Sequence, residues 1–124
     1  IIYPSLIRQF KRDWCKNQRN LPFDFCIPEY NIIIELDGLH HFIQVSNWAS
    51  PETIFDNDMY KQKCANENGY SIIRIFQEDV LYDNIDWVAR LSASISEIIN
   101  DHTNLPNNVY ISKDYLLYDK YRNV

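Results

Sequence analysis

Two glycines in 124 residues are too few for a glycine-rich phosphate loop, which excludes the dinucleotide and P-loop fingerprints. No apolar run approaches the roughly 18 residues of a membrane span, and no secretory leader is visible at the N-terminus. The three cysteines, Cys15, Cys26 and Cys64, are odd in number and unpatterned in spacing. They suggest a reducing compartment rather than a disulfide framework. Without CxxC or HxxxH spacing, they and the histidines also argue against structural zinc. What is present is a chain that is 46% apolar and 15% aromatic, sufficient for one domain with its own core and too short for two.

The net charge of −5 speaks against indiscriminate binding to nucleic acid, but the charge is unevenly spread. Between residues 8 and 19, Arg8, Lys11, Arg12, Lys16 and Arg19 face only Asp13, a local +4. Interleaved with Phe10 and Trp14, this stretch either tracks a phosphate backbone or forms a solvated face whose aromatics enter the core.

The pattern predicts strands over 7–14, 21–27, 32–37 and 70–76, with 15–20 turn-like and a short hairpin connection at 28–31. The run Ile32-Ile33-Ile34-Glu35-Leu36-Asp37 reads as a central strand buried on both faces and ended by Gly38. A helix is expected from an N-cap at Thr53, with Asp56 three residues on, to about Asn68, stopped by Gly69. A second begins at Asn84 and carries Trp87, Val88, Leu91, Ile95, Ile98 and Ile99 at spacings of three and four. Residues 103–109 read as a polar loop, and Ser112 as the cap of a tyrosine-rich helix over 114–121. That C-terminus is expected to pack on the sheet, base stacking and a dimer contact being the alternatives. The order implies an α/β fold with a mixed sheet, in which a helical crossover joins two parallel strands.

Chemistry concentrates on the central strand. Alternation places Ile33, Glu35 and Asp37 on one face, the two acids about 7 Å apart at Cα. Burying unpaired carboxylates costs several kcal/mol each, roughly. A divalent cation would compensate, since hard cations take carboxylate oxygens. Asp24, between Phe23 and Phe25, meets the same argument, and a turn at 28–31 puts it opposite Glu35. The alternative is that these acids form buried ion pairs with Arg74 or Lys61. The tandem His40 and His41 just past the strand suit orienting or deprotonating a water, or protonating a leaving oxygen. Asp58 and Lys61 share a helical face and either support the site or form a surface pair.

The string Leu21-Pro22-Phe23-Asp24-Phe25, then Ile33-Ile34-Glu35-Leu36-Asp37-Gly38-Leu39-His40-His41-Phe42, Asp58-Met59-Tyr60-Lys61, Asn68-Gly69-Tyr70 and Ile73-Arg74-Ile75 resembles the PD-(D/E)XK nuclease superfamily. The likeness is strongest to the branch of very-short-patch-repair (Vsr-like) endonucleases and related phage and viral homing endonucleases, and spans about residues 7–100. It implies a restriction-endonuclease-like three-layer fold, a central mixed sheet flanked by helices, in a single nuclease domain with a tyrosine-rich extension over 103–124. The chain is expected to be a fragment if the family's upstream glutamate-bearing helix is to be accommodated.

The resemblance matches Asp24 to the "PD" aspartate and Glu35 to the acidic residue of the D/E-x-K element. It makes Asp24, with Glu35 or Asp37, the holder of Mg²⁺, with Mn²⁺ as substitute. Asp37 stands where the superfamily usually has lysine. His40 or His41 would be the acid/base, Lys61 would stabilise developing charge, and Asp58 and Arg74 would support the site. The implied function is metal-dependent hydrolysis of DNA phosphodiester bonds, with the 8–19 stretch holding DNA and no membrane involved. The expected setting is intracellular, and a homodimer is one expected arrangement. The alternatives are a catalytically inactive nucleic-acid-binding module on the same fold, and a structure-selective or RNA nuclease.

Overall fold

The computed structural model describes residues 5–17, 19–101, 103 and 105–123. Residues 1–4, residue 18 of the expected turn, and residues 104 and 124 of the expected C-terminal extension lie outside them, as does residue 102. Among the described residues seven strands form: β1 (Ile7–Phe10), β2 (Lys16–Asn17), β3 (Arg19–Asn20), β4 (Phe23–Ile27), β5 (Ile32–Asp37), β6 (Ser71–Phe76) and β7 (Asn108–Ile111). Four α-helices accompany them: α1 (Pro51–Glu67), α2 (Gln77–Leu81), α3 (Trp87–Asn100) and α4 (Asp119–Arg122). Five strands make one sheet in the order β1-β4-β5-β6-β7, and β2 and β3 form a separate small hairpin. The β1–β4 and β4–β5 pairs are antiparallel; β5–β6 and β6–β7 are parallel. This is the expected mixed α/β sheet.

Helices cover both faces of the sheet. On one, Cys64 and Ala65 of α1 pack with Phe10, Phe23, Cys26, Ile33 and Ile72. On the other, Ile95 and Ile98 of α3 pack with Ile27, Ile32, Ile34, Ile73, Ile75 and Ile111. The alternation of Ile32, Ile33 and Ile34 between the two clusters is the period of two read from the sequence. The β4–β5 register is also the expected one: Phe25 faces Ile34 and Cys26 faces Ile33, around a 3₁₀ turn at Pro28–Tyr30 closed by Asn31 in the left-handed region (φ 53°). Gly69, at φ +84°, ends α1 as its lack of a Cβ allows.

Several boundaries differ from expectation. β1 stops at Phe10, and residues 16–20 hold the β2–β3 hairpin rather than a plain turn. Ser50, not Thr53, caps α1: its side chain accepts the Thr53 N–H at 3.2 Å, and Pro51 takes the first helical position. Asp86, not Asn84, caps α3 by accepting from Ala89 N. Residues 108–111 pair with β6 as β7 instead of continuing a loop, and α2 was not anticipated. Asp114, not Ser112, caps the C-terminal 3₁₀ turn (Tyr115–Tyr118) that leads into α4. In each cap the winning residue stands immediately before the first turn, where its oxygen reaches an otherwise unpaired N–H.

α1 is hardly amphipathic, because its sheet-facing side changes character along its length. Cys64 and Ala65 are apolar and meet the core, whereas Asp58, Lys61 and Gln62 are polar and equally buried. The helix runs antiparallel to β5, so one helical turn and one two-residue step of strand are of similar length. Residues 65, 61 and 58 thereby descend α1 as 33, 35 and 37 ascend β5.

Ser50→Ala should cost about 1 kcal/mol of stability and Thr53→Ala distinctly less, as urea unfolding would measure. Equal costs would return the cap to Thr53.

Candidate functional site

Glu35 and Asp37 project from β5 towards α1, each into its own ion pair. Lys61 Nζ donates to Glu35 Oε2 at 2.9 Å. Arg74, which lies beside Glu35 on β6 and is wholly buried, donates from Nη1 to Asp37 Oδ1 at 2.9 Å. Of the three acids expected to need a compensating charge, Glu35 and Asp37 are paired with Lys61 and Arg74, as the alternative reading had it, and Asp24 has no such pair among the described residues. The reason is that α1 and β6 deliver cations at the same levels of the sheet.

Asp24 does approach Glu35, through main-chain bonds rather than side chain to side chain. The Asp24 N–H donates to Glu35 Oε1 at 2.7 Å, and the Leu36 N–H donates to Asp24 Oδ2 at 2.8 Å. The two acids continue the β4–β5 ladder where its backbone pairing ends. Asp24 is half-buried, and its Oδ1 receives no hydrogen bond from the described residues.

Asp37 is gathered with His41 and Asp58 instead. These three offer potential metal-ligand atoms within 4.8 Å of one another. His41 Nδ1 lies 2.7 Å from Asp58 Oδ2 and 3.8 Å from Asp37 Oδ1. Around them the network is closed. The Tyr118 hydroxyl donates to Asp37 Oδ2 at 2.9 Å and the Tyr121 hydroxyl to Asp58 Oδ2 at 2.6 Å. Arg74 also donates from Nη2 to the Asp58 carbonyl and from Nε to Gln62 Oε1. Among the described residues no buried side-chain nitrogen or oxygen lacks a partner.

Electrostatics follow from this packing. Burial pushes the Asp37 carboxyl up to about 6, although Arg74 and His41 pull the other way. Burial works against a charged His41, but its hydrogen bond to the Asp58 carboxylate and the Asp37 charge outweigh it and raise its pKa. Asp58 is lowered despite its burial, by the His41 bond and Arg74. His40 is lowered by burial and by its charged neighbour. The two histidines are therefore distinguished: His41 is engaged, while His40 sits edge-on to Trp48 at 5.2 Å. Gly38 allows this arrangement, since a Cβ there would lie 2.9 Å from the His40 ring.

Asp24, Glu35, Asp37, His40, His41, Asp58 and Lys61 all line one open cleft of about 630 Å³. The five basic residues Arg8, Lys11, Arg12, Lys16 and Arg19 are exposed, and none lines that cleft. Phe10 is buried and Trp14 packs against the core, so the aromatics of the basic stretch face inward. Lys16 lines a neighbouring furrow that shares Thr53 and Asn57 with the cleft, and its carbonyl accepts the Tyr60 hydroxyl at 2.6 Å. The hairpin is thereby pinned to α1 beside the site.

Sequence reasoning missed Tyr118, Tyr121 and Gln62 as parts of this network. The tyrosine-rich composition of the C-terminus was visible; Tyr118 and Tyr121 pack inward as expected, whereas Tyr115 is exposed. The partners of the two buried tyrosines were not legible, because Tyr118 is 81 residues from Asp37 and Tyr121 is 63 from Asp58. The three cysteines are free and buried. No helix among the described residues is long and apolar enough to cross a membrane.

Arg74→Leu should destabilise the fold by about 3–5 kcal/mol in urea unfolding, since it strands buried carboxylates; a cost below about 1 kcal/mol would mean that the network does not depend on it. The pH dependence has a definite sign. Asp37 binds its proton more tightly folded than unfolded, so stability falls as pH rises from about 4 through 6. His41, also raised, contributes stability that is present below about 6.5 and lost as pH climbs through its folded pKa. In metal-free buffer the thermal midpoint of His40→Gln, which removes the opposite contribution of the lowered His40, should decline from about pH 5 to 8, and adding His41→Gln should flatten the upper half of that decline. A midpoint that rises across this range would contradict the assignment.

Compared with known proteins, the chain matches no family model, no curated protein and no solved structure.

Proposed function

We propose that this chain is a metal-dependent DNA endonuclease domain of the PD-(D/E)XK type. The observation that carries the reading is the cleft itself, which joins carboxylates of β4, β5 and α1, both histidines and the Lys61 ammonium. Its donors are hard oxygens suited to Mg²⁺ or Mn²⁺. Asp24 and Glu35 fit that cation best: the Asp24 N–H donates to Glu35 Oε1, the Leu36 N–H fixes Asp24 Oδ2, and Asp24 Oδ1 is open. Glu35 and Asp37 each have both oxygens hydrogen-bonded, Glu35 by the Asp24 N–H and Lys61 and Asp37 by Arg74 and Tyr118, and Glu35 is preferred as second ligand because it adjoins Asp24.

A bound cation would polarise the scissile phosphate and acidify a water. The remaining roles belong to side chains. Asp58 holds Nδ1 of His41, which leaves Nε2 to accept the proton of the attacking water as its oxygen bonds to phosphorus. Lys61, beside Glu35, offsets the charge that builds on the phosphoryl oxygens as the leaving P–O bond breaks. It supplies from α1 the ammonium that the superfamily usually places where this chain has Asp37. The exposed Lys16 and Arg19 on the pinned hairpin, with Arg8, Lys11 and Arg12, would make salt-dependent contacts to the DNA backbone.

A second reading, an inactive nucleic-acid-binding module, is favoured by one observation: the Asp37–His41–Asp58 group is already satisfied by Arg74, Tyr118 and Tyr121. Incubation of plasmid DNA with Mg²⁺, Mn²⁺ or EDTA separates the two. The endonuclease reading expects cleavage with either metal, none with EDTA, and a loss of at least about a hundredfold in Asp24→Ala and Glu35→Ala. Tight binding of DNA that stays intact under every condition supports the second reading and ends the first. Charge reversal at Lys11 and Arg12 should weaken DNA binding and flatten its salt dependence; unchanged affinity would remove them from the interface.

A further inference from the structure

We propose that Tyr121, seconded by Tyr118, is a positioning residue for His41, so that the C-terminal segment is part of the reaction centre rather than an appendage to the domain. The inference rests on the endonuclease reading above. Both rings are buried, at 4% and 0% exposure, and lie among Phe42, Phe55 and Tyr110, where phenylalanine would fill the same space. Each hydroxyl nevertheless donates to a carboxylate of the His41 group: Tyr121 to Asp58 Oδ2, and Tyr118 to Asp37 Oδ2. Burial and the adjacent carboxylates hold both phenols protonated, so they act as donors.

Their effect on the ring is geometric. Asp58 Oδ2 receives both the Tyr121 hydroxyl and His41 Nδ1, and Arg74 grips the Asp58 carbonyl from beneath. The Asp58 carboxylate is therefore held at Oδ2 by the Tyr121 hydroxyl, while Arg74 Nη1 lies 3.7 Å from its Oδ1. Fixed in that orientation, it takes His41 by Nδ1, and no hydrogen bond from the described residues reaches Nε2. The other groups facing His41 are Asp37 at 3.8 Å and His40, whose ring centroid is 4.6 Å away. Tyr118 holds Asp37 by Oδ2, leaving its Oδ1 3.8 Å from the same Nδ1 of His41. A hydrogen-bonded partner that orients a reacting imidazole commonly accounts for a factor of ten or more in rate.

The test compares the parent with Tyr121→Phe and Tyr118→Phe in two measurements. In single-turnover cleavage of DNA with Mg²⁺, Tyr121→Phe should slow the reaction about tenfold or more while DNA affinity stays within about twofold. In proton NMR, the downfield His41 Nδ1–H resonance, identified by its loss in Asp58→Asn, should move or broaden in Tyr121→Phe. Parental cleavage by a folded Tyr121→Phe, or an unmoved resonance, would overturn the proposal and leave the tyrosines with packing alone. If the parent itself leaves DNA intact, the endonuclease reading falls and the resonance alone decides the positioning claim. Should Tyr121→Phe fail to fold, Tyr118→Phe carries the same two readouts through Asp37.

Discussion

A guanidinium buried at the centre of a sheet must find partners from every layer that encloses it, and Arg74 finds them on three elements. It holds Asp37 on β5, the carbonyl of Asp58 and the side-chain oxygen of Gln62 on α1, and its guanidinium lies 5.3 Å from the Tyr121 ring of α4. Leaving any of these bonds unmade would cost far more than an apolar mismatch. This requirement sets where α1 lies along β5, and it explains how a helix with so weak an apolar stripe stays docked. The apolar end, Cys64 and Ala65, anchors the helix in the core, and the polar end is fixed by charge.

The same arrangement divides the acids into two groups with different chemistry. Asp24 is tied to Glu35 by its N–H and to Leu36 by its carboxylate, Glu35 meets Lys61, and Asp24 Oδ1 remains open towards the cleft. Asp37 and Asp58 are bound on both sides and serve to hold Arg74 and His41. A site with one open pair and one closed network can keep a cation and an imidazole apart while both face the same cavity. The net charge of −5 already counts Arg74 and Lys61; their pairing with Asp37 and Glu35 leaves the excess of negative charge on the other acids. The basic residues of the first strands and the hairpin stay exposed and are available to a polyanion.

Much of this was legible from residue order alone. The β-branched runs at 32–37 and 70–76, the short turn between β4 and β5, and Gly69 determine the sheet and its register through local rules. Lys61 and Arg74 were visible as partners, but the sequence could not weigh them against a cation, since helix placement decides which acids they reach. β7 escaped notice because four residues following a polar, proline-containing stretch carry little periodicity, and its pairing with β6 is non-local. The caps moved by a few residues because serine, threonine, asparagine and aspartate compete locally, and backbone direction chooses among them. The tyrosine hydroxyls on Asp37 and Asp58 were beyond reach for the plainest reason: contacts across 81 and 63 residues leave no local trace.

The account turns on whether the open pair holds a metal. Calorimetric titration with Mn²⁺ at neutral pH, repeated on Asp24→Ala, Glu35→Ala and Asp37→Asn, tests that most directly. The account predicts one site per chain, abolished by the first two substitutions and retained, though weakened, by the third. Absence of binding to the folded parent, or binding that survives loss of Asp24 and Glu35, would contradict it.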